Sequence, residues 1–235
     1  MASLDQLEKN ISLIEEKIHY VFKNKNLLRL AFIHRSFAHE NKEVVQGHNE
    51  RLEFLGDAVL GLVISSFLYE ELPHYPEGEL SYLRSRLVEA ASCARYIQQL
   101  ELAPFMLLGR GEEMNTGKGR LSILADLFEA VVGALYLDGG VEVTQTFFFR
   151  HFSDAAAAII EKPHRNWKAE LQDFCQKTYQ RPPLYQVIKE EGPDHSKTFY
   201  IAVAIQGQQL GQGEGSSKKE AEQLAAEQAI KTLGI

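Results

Sequence analysis

The chain has 235 residues, 45% of them hydrophobic and 24% charged, enough apolar material for one large domain or a medium one with a small companion. Its formal charge of −7 argues against nonspecific nucleic-acid binding through bulk electrostatics, so local clusters must decide the partners. Two cysteines far apart in sequence, Cys93 and Cys175, have no metal-ligand spacing and fit a reducing compartment.

The N-terminal stretch MASLDQLEKNISLIEEK is charged and amphipathic with no apolar signal core, and no run approaches a membrane span. A cytoplasmic protein with no membrane partner is expected. Apolar spacing of the 3.6 type predicts helices near 3–19, 26–39, 49–71, 78–99, 122–137 and 141–161. The stretch LGRGEEMNTGKGR (108–120) has glycine and charge without periodicity and reads as a loop.

After EKPHRNW (161–167) the pattern changes. A helix, WKAELQDFCQKT, precedes three strands, PLYQVIKEE, KTFYIAVAI and QQLGQGEG, and SKKEAEQLAAEQAIKTLG closes as a helix. Three sequential strands between two helices predict an antiparallel sheet with both helices on one face. The expectation is an all-α N-terminal domain over 1–160 and a small α+β domain, α-β-β-β-α, over 161–235, with a linker near 160–165. Residues 164–235 hold nine basic and nine acidic residues, so the whole acidic excess belongs to the first part.

In NERLEFLGDAVLGLVISSFLY (49–69), Glu50, Glu53 and Asp57 lie at i, i+3 and i+7 and share one stripe of a helix. Leu52, Phe54, Leu55, Ala58, Val59, Leu62 and Val63 cover much of the remaining circumference, which suggests that the stripe faces protein. Unpaired buried charge is costly, so a cation is required there. Asp126 and Glu129 in SILADLFEAVVGALYLD (122–138) form a second i, i+3 pair on an apolar helix. Two such helices packed face to face would make an all-oxygen site for a hard cation, Mg²⁺ or Mn²⁺. The plainer alternative is ion pairing with Arg51, Arg84, Arg86 or Lys118; five acids on two helices favour the cation.

HNERLEFLGDAVL resembles the signature of the ribonuclease III family, and SILADLFEAVVGALYLD resembles that family's second acidic helix. IHRSFAHE (33–40) and the GRGE…GKGR loop fall in the family's order, and the resemblance covers nearly the whole chain. It implies a Mg²⁺-dependent endonuclease, with Mn²⁺ as a substitute, that hydrolyses double-stranded RNA to 5′-phosphate and 3′-hydroxyl ends with short 3′ overhangs. It further implies that Glu53, Asp57, Asp126 and Glu129 hold the metal, with Asp57 and Glu129 most directly tied to catalysis. Glu50, Arg51 and Phe54 fall at positions that support the ligands from behind or lie at a dimer interface. Cutting both antiparallel strands with one acidic cluster per chain calls for a two-fold homodimer. Roles in rRNA and mRNA processing are implied, with no small-molecule cofactor.

The last helix adds a separate clue. SKKE (217–220) fits a capping box with Ser217 as N-cap, and Lys218 and Lys219 then sit at the positive end of the helix dipole, where a docked phosphate would explain them. The layout resembles a double-stranded RNA-binding domain, carried by GPDH (192–195) and GQGEGSSKKEAEQLAA (211–226). By that resemblance Gln172, Gln176 and His195 reach successive minor grooves, and Ser217, Lys218 and Lys219 lie on the intervening phosphates, reading A-form shape. Asn166 and Ala169 depart from the Asp and Thr frequent in that family, which puts a small contact at Ala169 in doubt. Lys168, Lys177, Arg181 and Lys197 would extend the basic edge. The rival reading is a catalytically silent RNA-binding protein, whose signature would be a missing carboxylate; none is missing. A helical scaffold with structural ion pairs would explain neither the paired acidic helices nor the tail.

Overall fold

A computed structural model describes residues 3–114, 118–161, 167–192 and 197–234, the side chain of Lys118 excepted. The chain divides into two units, Met1–Lys162 and Pro163–Ile235. In the first, α1 (Leu4–Ile18), α2 (Lys25–Ala31), α3 (Arg35–Glu40), α4 (Glu50–Glu71), α5 (Glu77–Val88), α6 (Ala90–Gln99), a 3₁₀ turn (Ala103–Phe105), the one-turn α7 (Arg110–Glu113) and α8 (Lys118–Ile160) follow one another. The second unit holds α9 (Trp167–Tyr179), β1 (Leu184–Glu191), β2 (Thr198–Ile205), β3 (Gln208–Gly215) and α10 (Lys218–Leu233). An all-helical first unit followed by α-β-β-β-α is as the sequence predicts.

Several boundaries differ, each for a local reason. The helix expected over 26–39 is two helices, because residues 32–34 bond to a neighbouring segment. Leu107 N–H donates to Phe32 O (2.8 Å), His34 N–H donates to Leu107 O (3.1 Å), and Ile33 and Leu107 form an isolated parallel bridge. The helix expected over 78–99 breaks at Glu89, whose extended backbone (φ −62°, ψ 151°) starts a new helix. The expected 108–120 loop contains the short turn α7. The helices expected over 122–137 and 141–161 run as one element, broken at Gly140, where φ is +80°.

The core of the first unit centres on α4, α6 and α8, with Tyr96, Phe128, Phe148 and Phe152 clustered at ring separations of 4.3–5.6 Å. By length and composition α4 could cross a bilayer, contrary to the sequence expectation that no run approaches this. Leu52, Val59, Leu60, Val63, Ile64 and Leu68 are instead buried in this core.

In the second unit β1, β2 and β3 form an antiparallel sheet in sequential order. Leu171 and Cys175 of α9 and Ala225, Ala226, Ala229 and Ile230 of α10 share a core with Val203 and Ile205 of β2. The helix lies directly on the sheet because Gly211 and Gly213 of β3 have no side chain. A Cβ on either would come within 2.2 Å of an α10 carbonyl, that of Ala225 or Ala221.

Candidate active site

Two helices cross almost backbone to backbone to build the acidic site. A Cβ on Gly56 of α4 would lie 1.7 Å from the Glu129 carbonyl of α8, and one on Gly133 of α8 would lie 2.2 Å from the Leu52 carbonyl of α4. Glu53 and Asp57 flank Gly56, and Asp126 and Glu129 precede Gly133 by about two turns and one turn. The crossing point therefore dictates which acids meet. Glu53, Asp126 and Glu129 each offer an oxygen, all within 4.8 Å of one another, at half-buried positions.

Asp57, expected as a fourth ligand, stands outside that trio at an exposed position one turn further along α4. It is still close enough to matter. Burial pushes the Glu129 carboxyl up to about 8, followed by the charges of Asp57, Asp126 and Glu53. Burial is also the largest influence raising Glu53, with Asp126 and Glu50 adding to it. Asp126 is raised mainly by burial, partly countered by Arg35. Carboxyls raised together at neutral pH form a site short of positive charge, and three oxygen donors in reach of one point suit a hard divalent cation.

Of the side chains considered as structural partners, that of Lys118 lies outside the described residues, and the other three are engaged elsewhere or exposed. Arg84 donates to Ser65 Oγ (3.2 Å), Arg86 pairs with Glu89 (3.0 Å), and Arg51 is exposed. Arg35, not anticipated from the sequence, donates to Glu50 Oε1 at 3.1 Å, and His48 lies 3.7 Å from the other oxygen of Glu50. Glu50 thus belongs to a neighbouring ion pair at the rim.

A cleft of about 380 Å³ opens beside Glu53 and Asp126, lined also by His34, Arg35, Asn49, Glu50 and Glu112. The unpatterned 108–120 stretch contributes to it through Glu112 and Gly119. His34, Arg35 and Glu112 went unrecognised at the sequence level, although IHRS and GRGE marked their segments. A motif names neighbours in sequence, whereas these residues meet only through the pairing of residues 32–34 with Leu107.

Not all of α4 is enclosed as the apolar pattern suggested. Phe54 is 81% exposed and Leu62 56%, with Ala58 exposed between them, giving an open i, i+4, i+8 stripe.

In the second unit, Gln172 and Gln176 are exposed one turn apart on α9, on a face adjoining the buried Leu171 and Cys175. His195 lies outside the described residues. Ser217 caps α10 by accepting from Glu220 N–H at 3.2 Å. Glu220 reaches one residue further back than the box predicts, to Ser216 N–H (2.8 Å) and its hydroxyl (2.6 Å). Lys218 pairs with Glu190 at 3.0 Å and lies over the Phe199 ring, whereas Lys219 has no ion pair among the described residues. Of the four extra cations, Lys168 pairs with Glu222, Lys177 with Asp173 and Lys197 with Glu190, so the basic edge is partly neutralised.

Residues 24–155 match the family described as ribonuclease-III-like, and residues 167–233 match the double-stranded RNA binding motif. Over 235 residues, all of this chain and 97% of the relative, the sequence is 59% identical to Ribonuclease 3 of Protochlamydia amoebophila. It is 42% identical over 225 residues to Ribonuclease 3 of Syntrophobacter fumaroxidans, covering 94% of this chain and 93% of that one. The crystal structure of the nuclease domain of ribonuclease III from Campylobacter jejuni superposes with a TM-score of 0.56 at 42% identity, covering 63% of this chain and 96% of that one. With its two crossed acidic helices and its α-β-β-β-α unit, this chain belongs to the ribonuclease III family, an enzyme with a nuclease domain and a double-stranded-RNA-binding domain.

Proposed function

We propose that this enzyme hydrolyses double-stranded RNA with Mg²⁺, or Mn²⁺ in its place, leaving 5′-phosphate and 3′-hydroxyl ends with short 3′ overhangs. In this reading the nuclease domain occupies 1–160 and the RNA-binding domain 161–235. The enzyme works in the cytoplasm on rRNA and mRNA precursors. The observation that carries the reading is the convergence of Glu53, Asp126 and Glu129 from two helices onto one point. The donor set is all oxygen, raised in pKa mainly by burial and only partly countered by Arg35, so it fits a divalent metal.

When bound, such an ion supplies positive charge to the phosphodiester and lowers the pKa of water. Glu53, Asp126 and Glu129 would hold it, while Asp57, outside the trio, would orient water at the open side. The test is cleavage of a long uniform RNA duplex with Mg²⁺ or with EDTA. Tight binding without cutting under any divalent metal would refute the reading.

The exposed Phe54–Ala58–Leu62 stripe supports a homodimer, since an aromatic this open on a core helix is the kind of anchor that dominates interfaces. In the ribonuclease III nuclease domain from Campylobacter jejuni, likewise, a flexible region is involved in dimer formation. Phe54→Glu is expected to weaken the dimer roughly thirtyfold or more, seen by sedimentation at micromolar concentration. A wild-type protein that is monomeric there while cutting both strands together would rule the dimer out.

For RNA capture, Gln172 and Gln176 on one face of α9, His195, and Ser217, Lys218 and Lys219 at the start of α10 are the proposed contacts. Replacing Lys218 and Lys219 together by Ala should lower duplex affinity about tenfold at low salt and flatten the log–log salt slope by about 1 to 2. An unchanged slope would place the phosphate contacts elsewhere.

A further inference from the structure

We propose that His34 and Asn49 form a neutral donor wall that takes a non-bridging phosphate oxygen of the RNA strand beside the acidic cluster. The inference rests on the nuclease reading above and deepens it. His34 is 6% exposed and Asn49 1%, and both line the cleft that also reaches Glu53 and Asp126.

The ring of His34 has one tautomer available. Ser36 N–H donates to Nδ1 at 3.2 Å, and the Ser36 hydroxyl lies 2.7 Å from the same nitrogen. That hydroxyl oxygen accepts from Gly109 N–H at 2.8 Å, leaving its own proton for Nδ1. A backbone N–H can only donate, so Nδ1 is bare and the ring proton sits on Nε2. Burial, the largest influence, also holds this histidine below its usual pKa. Among the described residues no group bonds Nε2.

Asn49 begins α4 but makes no side-chain cap, and its enclosed Nδ2 has no partner. An unmade buried donor is costly, and a helix start offers an Asn an easy bond, so this amide is held in reserve against local preference. Its position is set by Asn49 N–H donating to Ile33 O at 2.9 Å, next to His34. One backbone junction therefore fixes both side chains. The Nε2–H of His34, the Nδ2 of Asn49 and the Arg35 guanidinium are donors on one side of the cleft, and Glu50, Glu53, Glu112 and Asp126 line the rest of it. The ligand of the donors must accept, whereas the carboxylates suit a cation. The phosphodiester's non-bridging oxygens accept only and carry the substrate's charge.

The two nitrogens of His34 separate structure from function. His34→Asn keeps a cap acceptor for Ser36 N–H and removes the Nε2 donor; His34→Gln keeps a donor near Nε2 and removes the cap. With the full-length protein, an RNA duplex and Mg²⁺, His34→Asn should lower kcat roughly tenfold to a hundredfold while melting like the wild type. His34→Gln should melt lower yet retain more cleavage. In parallel, the ¹⁵N-histidine spectrum of the wild type should show an Nε2–H ring whose signal shifts when duplex is added with Ca²⁺. Wild-type rates in His34→Asn, or losses that simply follow melting temperature with His34→Gln the worse, would overturn the proposal. A wild type that binds duplex and shifts the Nε2–H signal without cutting would refute the nuclease reading and leave the donor wall standing; no shift would refute the wall.

Discussion

Glu129→Gln is expected to remove Mg²⁺-dependent cutting of an RNA duplex, by roughly 10³-fold or more, while gel-shift binding stays at the wild-type level. The amide keeps the shape of the side chain but loses the negative oxygen that completes the trio with Glu53 and Asp126. The same variant makes a separate prediction about stability. Burial and three neighbouring acids push Glu129 up to about 8 from an ordinary value of 4.5. A carboxyl raised in the folded state binds more protons folded than unfolded between those values, so metal-free stability falls as pH rises through the window. In EDTA the wild type should therefore melt roughly 3–6 °C lower near pH 8.5 than near pH 5.5, relative to Glu129→Gln run alongside. Mg²⁺ should restore most of that loss at the higher pH. A variant that still cuts, or one whose melting temperature falls with pH as steeply as the wild type's, would remove Glu129 from the centre of the site.

Gly56→Ala tests the crossing itself. The added Cβ meets the Glu129 carbonyl carbon at 2.6 Å and oxygen at 1.7 Å, and the Gly133 nitrogen at 2.9 Å, all backbone atoms that cannot rotate away. Helices α4 and α8 must move apart, at a cost of about 3 kcal/mol or more, for a fall in melting temperature of roughly 6–12 °C. Because Glu53 and Glu129 approach across this contact, duplex cleavage should fall even at temperatures where the variant remains folded. Gly78→Ala is the control: it lies in a helix with nothing within 4 Å of its Cβ, and the better helix former should leave stability unchanged or slightly higher. Equal melting temperatures for the two variants would mean that the helices do not depend on close approach at Gly56.

Much of this was legible from local pattern. The strands of the second unit are bounded by turn residues, such as Gln206-Gly207 between β2 and β3, and the apolar residues of α9 and α10 recur at helical spacing. Periodicity reports the path of the chain because each element must bury one face. The i, i+3 spacing of Asp126 and Glu129 likewise placed both on one side of their helix before any packing was considered. Pattern did not reveal where two helices touch. Phe54 and Leu52 look alike as apolar positions on α4, yet one is open and the other buried, since only Leu52 faces α8 near Gly133. Nor does the spacing of Glu53 and Asp57 show that the first joins the trio while the second stands at its edge.

The sequence by itself determined the two-part architecture, the two acidic helices and the polar faces of α9 and α10, because each follows from the period of its own segment. Only the tertiary structure decided which acids converge, which apolar residues remain open and how His34 came to lie beside Asn49. Those outcomes depend on contacts between segments tens of residues apart: Gly56 against Glu129, and residues 32–34 pairing with Leu107 and bonding Asn49. Such contacts are set by the volumes and hydrogen bonds of both partners at once, and no single segment carries that information.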